Sequence, residues 1–127
     1  MNKAPLGAML LGLLHLLSAL GLALCALVVP FFFAAVVGSW GHQNFHWDFG
    51  AFGAGIVIAV MFLVAAALAG AIGMGLMNAR GWARTVVMIF AGIGFIASVR
   101  DFSLWGMFWD AGVIFYFTRP GVARAFR

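Results

Sequence analysis

Between Lys3 and Arg80 the only charged side chain is Asp48. A chain that folds in water covers its surface with charged and polar groups, about 25% of residues being charged in an ordinary soluble domain. Here 8% are charged and 66% are hydrophobic, where roughly 45–50% is usual. A fold of 127 residues has a large surface for its volume and cannot hide that excess. The pattern excludes a soluble globular domain, a disordered tail and a disulfide scaffold, and it leaves the lipid bilayer as the solvent. The length is that of one domain, taken here as a single four-helix transmembrane domain over 1–127.

Four apolar runs follow along the chain. The first extends from Leu6 to Val29, is interrupted by Pro30, and resumes from Phe31 to Val37. At 1.5 Å per residue its first part measures about 36 Å, enough for a hydrocarbon core of about 30 Å. Proline lacks a backbone donor, so the reading ends or kinks this helix at Pro30. The run is too long for the apolar core of a cleaved secretory signal and is read as retained. The second run covers 51–77 and the third 82–99. The fourth, 104–118, is short, at about 22 Å.

Charge decides in favour of the fourth. In a four-span arrangement Lys3, Arg80, Arg84, Arg119, Arg124 and Arg127 fall on one side and Arg100 alone on the other. Basic residues accumulate on the cytoplasmic side, whereas a three-span arrangement would place the C-terminal arginines outside. The expected fold is therefore an all-α membrane protein with four transmembrane helices, N-in/C-in, spans near 6–29, 51–77, 82–99 and 104–118, and an outer loop at 38–50. The location that fits is a prokaryotic inner or plasma membrane with both termini cytoplasmic. Trp40 and Trp47 in the outer loop, with Trp105 and Trp109 at the start of the fourth helix, form an aromatic belt at the outer headgroups, and Trp82 does the same inside. Arg80, Trp82 and Arg84 act as membrane anchors, holding a short turn against lipid phosphates.

Two stretches carry a resemblance. One reads Gly73-Met74-Gly75-Leu76-Met77-Asn78-Ala79-Arg80-Gly81-Trp82-Ala83-Arg84, the other Tyr116-Phe117-Thr118-Arg119-Pro120-Gly121-Val122-Ala123-Arg124-Ala125-Phe126. With a histidine early in the first helix, they resemble small prokaryotic four-helix integral membrane proteins of uncharacterised function. Gly121 departs from the acidic residue expected at its position. The resemblance implies the four-helix layout and brings no activity with it.

Small residues recur at four-residue spacing: Ala65, Ala69 and Gly73; Ala67, Ala71 and Gly75; Gly94 and Ser98. Such stripes let helix backbones approach closely in lipid. Gly70, Gly73 and Gly75 follow no strand and lie within a span, so they are not a phosphate loop.

His15 and Asp110 are ionisable groups inside spans, where an ionisable side chain is costly and marks a candidate site. Counted from the same side, His15 is about 13.5 Å deep and Asp110 about 12 Å. This matched depth makes them a candidate polar pair between the first and fourth helices. It fits an interhelical hydrogen bond, an Asp110 open to outer water, or a proton or ion role. His42 and His46 share one helical face if the outer loop is helical, but zinc wants three or four ligands, so no metal site is expected. A bis-His haem needs two intramembrane imidazoles and the chain has only His15. No cofactor is expected, and a pigment or haem shared between chains is an alternative. Cys25 sits in an apolar run with no partner thiol, and a thiol so placed is ordinarily inert.

Neither a nucleophile–His–acid set nor a carboxylate pair stands at telling spacing, so an enzyme is not expected. The basic residues sit at helix ends and build no water-exposed face for nucleic acid. The expected function is that of a small non-enzymatic accessory or structural subunit, packing in the bilayer with itself as an oligomer or with other membrane-protein subunits. An oligomeric channel or ion-translocating subunit built on Asp110 and His15 is the alternative, and a pigment- or haem-holding subunit a further one.

Overall fold

A computed structural model describes residues 4–39 and 49–126. Trp40, His42, His46 and Trp47, together with Lys3 and Arg127, lie outside the described residues. The described elements are all helical: α1 (Leu6–Ser39), α2 (Phe49–Met77), α3 (Gly81–Arg100), α4 (Leu104–Thr118) and α5 (Pro120–Ala125). Three of them are long and apolar enough to cross a membrane, over Leu6–Val37, Phe49–Met77 and Gly81–Arg100. With 15 residues, α4 reaches only about 22 Å.

Of the two outcomes expected at Pro30, a helix end is corrected, because α1 continues through Pro30 to Ser39. The reason lies on α2. A Cβ at Gly55 would stand 2.6 Å from the Pro30 Cα and 3.3 Å from the Pro30 nitrogen. Pro30 is thus buried against a backbone that has no side chain in the way. A neighbouring helix supports a proline that would break an isolated one.

The chain forms two compact units, one taking in residues up to Leu14 and from Ala71 onward, the other spanning His15–Gly70. The second is an α1–α2 pair whose touching faces are small. Ala26, Pro30 and Ala34 on α1 and Ala51, Gly55 and Ala59 on α2 are buried, at the four-residue spacing that aligns side chains on one helix face. The Phe31 and Phe52 rings meet edge-on at 5.6 Å, and Ala19 approaches Gly70. Outside this seam Leu20, Leu24, Leu27, Val57, Met61 and Val64 are exposed, as suits helices solvated by lipid.

The other unit is centred on Leu76 and Phe117, both fully buried, with Ile72, Val87 and Val113 around them. The Phe117 ring meets Tyr116 at 5.2 Å and Phe126 at 5.8 Å, both edge to face. Two tight turns shape it. At the end of α2, Arg80 N–H donates to the Gly75 carbonyl at 2.8 Å and Ala79 N–H to Leu76 at 3.1 Å, with Ala79 at φ 51°. At the end of α3, Ser103 N–H donates to Ser98 at 2.9 Å and Phe102 N–H to Val99 at 3.3 Å, with Phe102 also at φ 51°. Both are Schellman turns, with alanine and phenylalanine where glycine is usual. Ser103 then caps α4, its Oγ accepting from Gly106 N–H at 3.4 Å.

Candidate functional site

Among the described residues of this unit, the carboxyl that lies well inside a helix is that of Asp110, in the α3–α4 hairpin. Gly106, Asp110, Val113 and Phe117 recur at three- and four-residue intervals, so one face of α4 presents them together. Near the turn, Ser98 of α3 packs against Gly106, whose missing side chain leaves room for the hydroxyl. One turn further, a Cβ at Gly94 would fall 2.8 Å from Oδ2 and 3.2 Å from Oδ1 of Asp110. The carboxyl of Asp110 therefore rests directly on the α3 backbone at Gly94. Asp110 is half-buried. Beyond it, Ala91 and Val87 of α3 and Val113 and Phe117 of α4 enter the apolar core. The seat is a carboxyl set into a helix seam, with a glycine opposite.

His15 is half-buried and belongs to the His15–Gly70 unit, while Asp110 belongs to the other. Each is placed within its own unit, and their pairing stands as a proposal. Among the described residues no group of three His, Cys, Asp or Glu could hold a metal ion. Cys25 is exposed on α1.

Four of the small residues picked out from the sequence, Gly73, Gly75, Gly94 and Ser98, have intrachain neighbours. Gly73 presents its carbonyl to Gly12 of α1, where a Cβ would come within 2.8 Å of it. Gly75 lies beneath Ala83 and Trp82 of α3, at 2.6 and 2.8 Å from its Cβ position. Gly94 and Ser98 face α4, while Ala65 and Ala69 are half-buried.

The anchor residues divide by role. Arg80 is exposed and Trp82 nearly half so. Arg84 is partly buried, and its Nε donates to the Phe117 carbonyl at 3.0 Å. That carbonyl lies in the last turn of α4, where acceptors have no helical partner and a cation is favourable. Arg84 thus ties the end of α4 to the start of α3. Trp105 is 83% exposed and Trp109 54%, and with Phe108 they line an open cavity of about 160 Å³ on α4.

Two features escaped the sequence reading. One is Gly55, whose only signal is its four-residue spacing from Ala51 and Ala59. The other is α5, which starts at Pro120 and ends by burying Phe126. Proline at the first helical position is the available signal for it. No family model, curated protein or solved structure matches the chain.

Proposed function

We propose that this chain is a small, non-enzymatic integral membrane protein that serves as an accessory subunit, packing by its helices against a larger membrane complex or further copies of itself. The observation that carries the reading is the uncovered face of α4. Trp105, Phe108, Trp109 and Phe115 are all exposed there, on a helix about 22 Å long in a bilayer core of about 30 Å. A helix shorter than the bilayer is accommodated by local thinning, by snorkelling flanking residues or by association, and exposed aromatic rings offer a partner helix a large contact area. Native mass spectrometry of the mildly extracted protein is expected to find it bound in fixed stoichiometry. The double substitution Trp105→Ala/Phe108→Ala is expected to release the chain while leaving its helicity unchanged. An unaltered chain that is monomeric in lipid-retaining detergent, or a doubly substituted chain that stays in the complex, would overturn the reading.

The arrangement in the membrane that goes with this function is four spans with both termini cytoplasmic, and its support is the distribution of basic residues. In a Cys25→Ser background, cysteines at Ala79 and Ala123 are expected to react with an impermeant reagent from one side only, and a cysteine at Gln43 only from the other. Labelling of all three from the same side would refute the arrangement.

The seat of Asp110 favours a second reading, an ion-translocating subunit in which Asp110 and His15 carry the charge. A carboxyl held inside an apolar hairpin is the kind of group that ion and proton pathways use. Flux through reconstituted vesicles separates the two readings.

A further inference from the structure

We propose that the basic end of the α3–α4–α5 unit is a binding surface that selects anionic phospholipid headgroups over zwitterionic ones, with Arg80, Arg119 and Arg124 contacting the phosphate and Trp82 lying at the acyl boundary. This surface is separate from the α4 aromatic face and stands whether or not that face finds a partner.

The three arginines come from distant parts of the chain and are gathered by identified contacts. Arg84 joins the start of α3 to the end of α4 through the Phe117 carbonyl at 3.0 Å. Gly81 joins the same start to the end of α5, since a Cβ there would stand 2.9 Å from the Phe126 carbonyl. Between them, Arg119 adopts an extended backbone (ψ 133°) that ends α4 and starts α5 at Pro120. Phe126, 5% exposed, inserts its ring beside Phe117. The C-terminal segment is therefore a held element that brings Arg119 and Arg124 to the end of the unit at which α3 begins, the end that also carries Arg80, and all three are exposed.

Among the described residues this end carries no carboxylate. Among the described residues the carboxylates are Asp101, past the far end of α3, and Asp110, inside the α4 seam. The local contacts of the arginines use little of their capacity. Arg124 donates Nε to the Pro120 carbonyl at 3.2 Å and Arg119 stacks its guanidinium 5.0 Å above the Phe115 ring, whereas each guanidinium has five N–H donors. Clustered guanidinium donors without a counter-charge match a phosphate oxyanion. The surface adjoining them identifies the source as lipid. Trp82, Ile89, Phe90 and Phe115 are exposed on α3 and α4, so the ligand has an acyl region as well as an anionic head.

The test uses the full chain, purified in neutral detergent and titrated separately with short-chain phosphatidylglycerol, short-chain phosphatidylcholine and inorganic phosphate. Bound lipid is counted by native mass spectrometry and thermal unfolding is followed in parallel. Phosphatidylglycerol is expected to bind and raise the unfolding temperature at concentrations where the other two do not, and 0.5 M salt is expected to reverse the effect. Arginines at a membrane surface carry roughly a fivefold affinity each at low salt. Arg80→Gln, Arg119→Gln and Arg124→Gln are thus expected to weaken retention stepwise, and Arg100→Gln, at the other end, to leave it unchanged. Arg84 is kept because it holds α4. Should the triple variant fail to fold, the single Arg124→Gln and the salt reversal on the unaltered chain decide. Equal retention of both lipids, an equal response to inorganic phosphate, or unchanged binding in the arginine variants would each overturn the proposal.

Discussion

Leucine in place of Gly55 is expected to cost about 3 kcal/mol of stability, at the upper end of what overpacking a helix contact costs. The Cβ alone would lie 2.6 Å from the Pro30 Cα and 3.2 Å from the Phe33 Cβ. Both neighbours are fixed, one as backbone and one at the root of its side chain, so neither can rotate away. The two helices must separate, and the close packing that holds α1 to α2 in lipid is lost along with it. Gly53 supplies the control, being exposed with nothing within 4 Å of its Cβ position. Gly53→Leu is expected to be neutral or mildly stabilising, since leucine favours a helix over glycine by less than about 1 kcal/mol. Reversible unfolding in mixed micelles of a mild and a denaturing detergent, read by circular dichroism, measures both. Equal effects at the two positions would mean that the α1–α2 seam is not where this fold is held.

The contrast between these glycines also shows what the sequence could and could not reveal. Residues 104–118 read as a short apolar run that the distribution of basic residues promotes to a fourth helix, and α4 has those limits. The second and third helices differ from expectation by two residues or fewer at each end, because apolar runs in lipid are bounded by polar residues that sit nearby in sequence. What was not legible depends on partners distant in sequence. Pro30 reads as a helix breaker until Gly55 is placed against it. Arg84 reads as a lipid anchor until the Phe117 carbonyl arrives. The stripes containing Gly73, Gly75, Gly94 and Ser98 read as close-packing surfaces with no partner named, and these four residues meet neighbours inside the chain. Spacing reports which residues share a helix face, but not which helix that face meets. The six-residue α5 is too short for periodicity to register.

The Asp110 seat makes a prediction that needs both of its helices. Gly94→Ala is expected to destabilise by about 2 kcal/mol, because its methyl would lie 2.8 Å from Oδ2 of Asp110 and push a half-buried carboxyl out of its place. Asp110→Ala removes the obstruction, so the double variant is expected to cost less than the two single changes summed, with a coupling of roughly 0.5–2 kcal/mol for residues in contact. Detergent unfolding of the four proteins in the cycle measures it, and strict additivity would place Asp110 elsewhere than on Gly94. The role of the carboxyl is then separated from its shape by Asp110→Asn, which has nearly the same volume and keeps hydrogen-bonding capacity but cannot ionise. If the site serves packing, the Asn variant retains both stability and assembly. If it carries ions, the variant folds as before and flux in reconstituted vesicles disappears, since only the titratable charge has been taken away.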